Sequence, residues 1–151
     1  MIRVTDQAFD AGAALNRFCA GRARTGAVAS FVGIARGEPG EAALELEAYP
    51  GFTESEIGRL AGEATTRFGL DDVVVIHRIG PIPTGEAIVL VLTAAAHRRA
   101  AFDACDFLMD YLKSAAPLWK KEHRSDGAAW VEPTAGDRAA LTRWQTEETL
   151  R

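Results

Sequence analysis

The stretch from His97 to Glu122 reads H-R-R-A-A-F-D-A-C-D-F-L-M-D-Y-L-K-S-A-A-P-L-W-K-K-E, and it is the longest periodic segment of the chain. Its apolar side chains recur at spacings of three and four residues, a pattern typical of an amphipathic helix packed on a core. Because Pro117 cannot continue a helix, we expect the helix to end near Ala115 or Ala116. The inward-facing arc is predicted to contain Ala101, Phe102, Cys105, Leu108, Met109 and Leu112.

Basic residues lie at both ends of this predicted helix: His97, Arg98, Lys113, Lys120 and Lys121. Lys113 falls at the border of the apolar arc, where we expect its ammonium group to be partly desolvated. The alternative is that Lys113 covers apolar surface with its alkyl chain, reaches water and pairs with Asp110. Cations at both ends of one buried element indicate a site for anionic groups.

The composition is that of an ordinary globular protein, with 151 residues, of which 48% are hydrophobic and 25% charged. The net charge of -4 argues against a general nucleic-acid-binding surface, since such surfaces are basic. We find no apolar run long enough to span a bilayer and no signal-peptide pattern at the start. Cys19 and Cys105 do not make a disulfide framework, which favours a cytoplasmic protein.

Alternating and apolar segments predict strands over residues 2–5, 27–36, 43–49, 73–79, 87–95 and 129–131. Further helices are expected from Asp10 to Cys19, from a capping box at Thr53 to Phe68, and after a cap at Asp137. Residues 80–85, which contain Gly and Pro, are expected to form a rigid connection. Hairpins mixed with helices predict an α+β fold. We expect one domain over residues 1–151, with a mixed or antiparallel sheet, flanking helices and a C-terminal helix or tail from about residue 137.

The residue pattern does not favour metal or cysteine chemistry. The three histidines, His77, His97 and His123, lack metal-ligand spacing, and no cysteine pair supports them. His77 lies in a predicted strand and is expected to be structural, and Cys105 is expected to pack rather than react. No metal and no cofactor is therefore expected. The basic residues suit a ligand that contains a phosphate and a second negative group, because a helix N-terminus adds free N–H groups that favour anions.

Five segments of the chain resemble the MoaE family, the large catalytic subunits of molybdopterin synthase. They are G-A-V-A-S-F-V-G-I-A-R (26–36), L-E-L-E-A-Y-P-G (44–51), V-I-H-R-I-G (75–80), A-H-R-R-A-A-F-D-A-C (96–105) and M-D-Y-L-K-S-A-A-P-L-W-K-K-E (109–122). The last two segments together are the most specific, and the resemblance covers most of the protein. It implies an α+β fold that contains an α/β hammerhead.

The resemblance also implies a sulfurtransferase. Two sulfurs, each from the C-terminal Gly-Gly thiocarboxylate of a small ubiquitin-like carrier subunit, would convert cyclic pyranopterin monophosphate to molybdopterin, for molybdenum cofactor biosynthesis. Family members are homodimers, and with two carriers they form heterotetramers, so the same assembly is implied here. Two alternatives remain at this point: a scaffold that docks the carrier tail without catalysis, and a sensor domain for small anions.

The family's functional positions fall on Ile34, Ala35, Arg36, His97, Arg98, Lys113, Lys120, Lys121 and Glu122 of this sequence. The resemblance implies that Arg36, His97 and Arg98 hold the substrate phosphate and the pterin edge. Lys113 and Lys120 are the implied catalytic residues. Lys113 would transfer protons or stabilise an oxyanion, and Lys120 would bind the thiocarboxylate of the carrier.

The predicted helix separates Arg98 from Lys113 by about 22 Å, because a helix rises 1.5 Å per residue. One small pterin phosphate cannot readily bridge that distance within one chain. We therefore expect two-fold symmetry to bring His97 and Arg98 of one subunit beside Lys113 and Lys120 of the other. The alternative is that the two ends of the helix serve separate tasks in one chain.

Overall fold

The computed structural model describes residues 1–40, 42–124 and 126–149. Its strands are β1 (Ile2–Thr5), β2 (Ala27–Ile34), β3 (Ala42–Ala48), β4 (Leu70–Arg78), β5 (Gly80–Pro83), β6 (Ala87–Ala95), β7 (Leu118–Arg124) and β8 (Gly127–Val131). Its helices are α1 (Ala11–Cys19), α2 (Phe52–Phe68), α3 (Arg98–Ser114) and α4 (Ala135–Thr149). The predicted α+β class with mixed sheets is confirmed.

The larger sheet has the strand order β1-β4-β6-β2, in which β1 runs parallel to β4 and the other pairs are antiparallel. The central strands β4 and β6 contain the apolar runs V-V-V-I and I-V-L-V-L, as expected where helices cover both faces of a sheet. Helices α2 and α3 pack on one face, with α4 against α3, and α1 packs on the other face. The strand β2 lies at the edge.

The smaller sheet has the order β5-β3-β7-β8, and all its pairs are antiparallel. Its inner side chains Leu44, Leu46 and Ile82 pack with Ala35, the residue that follows β2. Ile88, near the start of β6, packs against both this small core and the main core. The smaller sheet therefore adjoins the end of the larger sheet at which β2 ends and β6 begins.

The helix α3 follows β6 after only two residues, Ala96 and His97, so it must turn back along the strand it leaves. The hydroxyl of Thr93 in β6 donates a hydrogen bond of 2.7 Å to the carbonyl of Ala101 and fastens the first turn of α3 to that strand. The helix ends at Ser114, within two residues of the predicted end. Its start and its end consequently lie at opposite ends of the larger sheet.

Two predicted helix caps are wrong. The N-cap of α2 is Gly51, with a φ of 77°, and the hydroxyl of Thr53 makes no capping bond. The cap of α4 is Thr134, whose Oγ1 accepts from the N–H of Asp137 at 3.1 Å while Asp137 Oδ2 accepts from the N–H of Thr134 at 2.8 Å. This reciprocal pair is a capping box one turn earlier than expected. The cap at Asp10 is confirmed by a bond of 2.9 Å from the N–H of Ala13.

Two strands were not predicted from the sequence. The segment β5 contains Pro81 and Pro83, but it is an edge strand, where a missing N–H on the outer side is tolerated. The segment β7, L-W-K-K-E-H-R, has no apolar alternation, yet it pairs with β3 on one side and β8 on the other. In the part of the chain that the structure describes, no helix is long and apolar enough to cross a membrane.

Candidate functional site

The first part of the site lies at the start of α3. His97 is the extended N-cap residue, with a φ of -135° and no side-chain capping bond, and Arg98 is the first helical residue. Both line an open pocket of about 810 Å³, together with Gly26, Ala96, Arg99 and Phe102. Free N–H groups of the first helical turn and two basic side chains make this pocket suited to an anion.

Phe102 is not a core residue, contrary to the sequence prediction, because its side chain is 61% exposed. At about 100° per residue, Phe102 lies just beyond Met109 on the helix circumference. The buried arc extends the other way, to Ala104 and Phe107, because α2 and α4 cover that side of α3. Phe102 therefore lines the pocket with His97 and Arg98, and no sequence pattern indicated this role.

Lys113 is exposed, so the expected partial desolvation is not found. It lies beyond Phe102 on the same uncovered side of α3. Exposure agrees with the alternative that Lys113 reaches water, but the pairing with Asp110 in that alternative is not found, since Asp110 accepts from Arg143 at 2.8 Å and from the indole N–H of Trp144 at 2.7 Å. The pKa of Asp137 is lowered, chiefly by the N–H of Thr134 and in part by the charge of Lys113, which places Lys113 near the start of α4.

Lys120 and Lys121 point to opposite faces of the smaller sheet, because neighbouring residues of a strand alternate. Lys120 pairs in register with Leu46, so it shares the face that contains the small core, and its Nζ lies 3.3 Å from Glu122 Oε1. Lys121 lies over the ring of Trp130 on the outer face, 5.4 Å from the ring centroid. The two lysines therefore do not contact a ligand from the same face of the sheet.

Arg36 is exposed and directly follows a fixed residue. The N–H of Ala35 donates to the carbonyl of Glu86 at 2.9 Å, and the N–H of Gly85 donates to the carbonyl of Ala35 at 2.8 Å. Ala35 is 1% exposed, whereas Ile34 is 48% exposed. Among the three consecutive predicted positions 34–36, Ala35 thus holds the backbone in place, while Ile34 and Arg36 present their side chains to solvent.

The predicted site residues of one chain form two groups at opposite ends of the larger sheet. We call His97 and Arg98 the His–Arg end, which adjoins the start of β2, since Ala27 pairs with Ala95. We call Arg36, Lys113 and Lys120 the lysine end. It adjoins the end of β2, where Ile34 pairs with Ala87, and the end of α3. The structure does not bring the two groups together within one chain.

Two other titratable groups considered from the sequence, His77 and Cys105, are buried and structural. His77 is buried, and burial lowers its pKa to about 4, so its ring is neutral at physiological pH and its Nδ1 lies 2.9 Å from the carbonyl of Arg78. Burial raises the pKa of the Cys105 thiol to about 11, which keeps it protonated. Among the described residues, no group of three or more His, Cys, Asp and Glu side chains is arranged to hold a metal ion.

Comparison with known proteins identifies close relatives. The family model described as MoaE protein matches residues 4–115. The molybdopterin synthase catalytic subunit of Caulobacter vibrioides is 60% identical over 148 residues, which cover 97% of this chain and 99% of the relative. The Molybdopterin biosynthesis MoaE protein from Burkholderia ambifaria superposes with a TM-score of 0.79 at 44% identity, covering 95% of this chain and 97% of that one.

A more distant solved structure shares the fold. It is a protein–protein complex of subunits 1 and 2 of molybdopterin-converting factor from Helicobacter pylori. The matching chain superposes with a TM-score of 0.73 at 20% identity, covering 86% of this chain and 89% of that one.

Proposed function

The chain belongs to the MoaE family, and from that premise we propose how its two groups of cations perform sulfur transfer. The protein is the catalytic subunit of molybdopterin synthase, a sulfurtransferase of molybdenum cofactor biosynthesis. It works with a small sulfur-carrier subunit. The proposed substrate is cyclic pyranopterin monophosphate, the proposed donor is the Gly-Gly thiocarboxylate of the carrier, and the proposed compartment is the cytoplasm, in keeping with the unpaired Cys19 and Cys105.

The placement of the cations carries this proposal. A protein of net charge -4 presents His97 and Arg98 beside free N–H groups at one end, and Arg36, Lys113 and Lys120 at the other. The His–Arg end offers charge-assisted hydrogen bonds of the kind that bind phosphate. At the lysine end, Lys113 and Lys120 offer ammonium groups without the planar fork of arginine, which suits a single anionic chain end and a charge that develops during reaction.

In the proposed reaction, the sulfur of the thiocarboxylate attacks a side-chain carbon of the pterin, and the carbon–oxygen bond at that carbon breaks, with its oxygen leaving with the phosphate or as water. Water then adds to the carrier's acyl carbon, the bond from that carbon to sulfur breaks, and the carrier leaves as a carboxylate. A second carrier repeats the step at the neighbouring carbon. The tetrahedral centre formed on the acyl carbon bears an oxyanion, and the proposed role of Lys113 is to stabilise it or to move a proton.

Lys120 is the proposed contact for the incoming thiocarboxylate. Its present partner is Glu122, at 3.3 Å, and the Lys120 side chain is 44% exposed. A carrier tail in an extended conformation gains main-chain hydrogen bonds, and its terminal anion replaces or joins Glu122 as the partner of Lys120. Lys121 does not share this role, because it faces the other side of the sheet.

We further propose a homodimer in which each site combines the lysine end of one subunit with the His–Arg end of the other. The surface that supports it is β2, an edge strand of sequence A-V-A-S-F-V-G-I without charge or proline. Three of its large apolar side chains are exposed, Phe31 at 38%, Val32 at 39% and Ile34 at 48%. Soluble proteins normally protect such an edge, and pairing with a second copy would cover it.

Two-fold symmetry pairs two copies of one strand antiparallel, so opposite ends of β2 come together. The residue after the end of β2 on one subunit would then lie near the partner's Gly26. The N–H of Gly26 donates to the carbonyl of Ala95 at 3.1 Å, next to Ala96 and His97. Arg36 would thus come beside the partner's His97, and the pocket at the start of α3 would open onto the lysine end. With two carriers, the assembly is a heterotetramer.

The test of the proposed function is reconstitution. The purified protein is incubated with cyclic pyranopterin monophosphate and a thiocarboxylated carrier, and molybdopterin is measured. We expect product to form with the thiocarboxylated carrier and none with the carboxylate form. Binding of the carrier without product would instead indicate a docking scaffold, and binding of the pterin phosphate without any carrier complex would indicate an anion sensor.

A further inference from the structure

Thr53 is one of the few buried polar residues of the described chain, with 1% of its surface exposed, although it lies in the first turn of α2. Its hydroxyl accepts a hydrogen bond of 2.9 Å from the N–H of Tyr49 and donates one of 2.8 Å to the carbonyl of Pro117, which is 64 residues away in sequence. A threonine near a helix start usually caps that helix. Here Gly51 is the N-cap, so the hydroxyl serves the tertiary structure instead.

Pro117 belongs to the short turn that joins α3 to β7. The N–H groups of Ala115 and Ala116 both donate to the carbonyl of Tyr111, and the N–H of Leu118 donates to the carbonyl of Ala116 at 2.7 Å. This turn is the covalent link between the two proposed catalytic residues. Lys113 lies four residues before Pro117 and Lys120 lies three residues after it. The path of the turn therefore sets the position of one lysine relative to the other.

The hydrogen bond from Tyr49 to Thr53 fixes the end of β3, the strand that pairs with β7 and so places Lys120. Tyr49 follows the end of β3, where Ala48 pairs with Leu118 and, two residues further along β7, Leu46 pairs with Lys120. The ring of Tyr49 packs edge-on against Trp119 at a centroid distance of 4.7 Å. One hydroxyl thus joins the end of β3, the start of α2 and the turn before β7.

We propose that Thr53 is a positioning residue of the sulfur-transfer site: its hydroxyl holds the turn between Lys113 and Lys120, and with it the mutual placement of the two lysines. This inference rests on the proposed function of those lysines. Thr53 is buried and does not touch substrate. Misplacing a catalytic group by about 1 Å can reduce a rate ~100-fold, so a single lost anchor at this turn is sufficient for a measurable effect.

The experiment compares three variants in the reconstituted synthase. Thr53→Val keeps the side-chain shape and removes the hydroxyl, Thr53→Ser keeps the hydroxyl, and Thr65→Val is the matched control. Thr65 lies in the same helix, and its Oγ1 donates at 2.8 Å to the carbonyl of Ala61, away from the turn. Folding is checked by circular dichroism and urea unfolding, and rates are measured at saturating carrier and pterin.

We expect Thr53→Val to lower the saturating rate by ~10–100-fold, with Thr53→Ser and Thr65→Val within about threefold of the wild type. A folded Thr53→Val protein with the wild-type rate overturns the inference, and so does an equal loss in Thr53→Ser. If the valine variant does not fold, Thr53→Ala against Thr53→Ser makes the same comparison of hydroxyl absent and present. Failure of the wild-type protein to form product would count against the proposed function and not against the positioning role.

A second measurement separates positioning from general loss of stability. Mixed dimers of Thr53→Val with a His97→Ala, Arg98→Ala variant should recover activity, because the defect of Thr53 belongs to the lysine end. Mixed dimers with a Lys113→Ala, Lys120→Ala variant should not. Equal behaviour with both partners, in an assay where those two partners complement each other, would show that Thr53 does not act through the lysine end.

Discussion

The strongest prediction concerns two variants that are inactive alone and active together. One variant carries His97→Ala and Arg98→Ala, and the other carries Lys113→Ala and Lys120→Ala. Within one chain, α3 places Arg98 and Lys113 about 22 Å apart, from 15 residues at 1.5 Å per residue. That distance exceeds the span of a small pterin phosphate. If each site is shared between subunits, one set of substitutions removes the groups that one subunit supplies to a site, and the other set removes the groups that its partner supplies.

The expected magnitude follows from the two-fold arrangement. In a mixed dimer, one site receives both sets of substitutions and the other site receives neither. Random reassociation makes half of the dimers mixed, and half of the sites in those dimers are intact. About a quarter of the wild-type activity should therefore return under two-fold symmetry.

The assay is molybdopterin formation after mild dissociation and reassociation of differently tagged variants. Sequential affinity purification on the two tags verifies that mixed dimers have formed, and each variant reassociated with itself is the control. Isolated mixed dimers should reach about half of the wild-type activity, since one of their two sites is intact. No activity in verified mixed dimers would refute the shared site and establish that each chain builds its own.

Four further outcomes are expected. Lys113→Ala and Lys120→Ala should each reduce single-turnover sulfur transfer by at least ~100-fold with little change in urea unfolding, and near-normal turnover of the Lys113 variant would favour a docking scaffold. A carrier that lacks its final Gly-Gly should support no product while its globular body still binds in a pull-down, and product from the truncated carrier would refute the role of the tail. Val32→Lys should place a charge on the β2 edge and give monomers in sedimentation, with activity lost in parallel, whereas an intact dimer would move the interface elsewhere. Because burial lowers the pKa of His77 to about 4, the unfolded state binds more protons between that value and about 6.5, so stability should fall as the pH falls through this range, by about 3 kcal/mol in total. Urea titrations of wild type and His77→Gln at pH 7 and pH 4.5 measure that difference, and an equal pH dependence in the two proteins would contradict it.

The sequence predicted the parts of the fold that depend on local pattern. The helix α3 is periodic over its whole length, Pro117 limits its end, and the central strands β4 and β6 are apolar enough to be recognised directly. The candidate site residues were identified through their motifs, and their division between two ends of the molecule followed from the length of one helix. These inferences needed no knowledge of which elements are neighbours.

The remaining features depend on which helices and strands pack against one another. The buried side of α3 is displaced towards Phe107 because α2 and α4 cover it, so Phe102 and Lys113 lie outside the core although their spacing places them at its border. The strand β7 is polar and becomes a strand only because β3 and β8 flank it. The sequence around Thr53 is that of a helix cap. Only the hydrogen bond from its hydroxyl to Pro117, 64 residues away, shows that the residue stabilises tertiary structure instead. Long-range pairing of this kind leaves no periodic signal in a sequence.

The proposed division of the site between two subunits suits a reaction that consumes two carriers for each pterin. In the proposed dimer, the spent carrier leaves from the lysine end, where Lys120 binds its terminal anion. The phosphate is held by His97 and Arg98 of the other subunit, through groups that the departing carrier does not touch. Exchange of the carrier therefore does not release the half-converted pterin, as it would if one set of cations bound both anions. The two ends should therefore differ in kinetics: Lys113→Ala and Lys120→Ala should slow both sulfur additions, whereas Arg98→Ala should release the singly sulfurated intermediate into solution, where it can be measured.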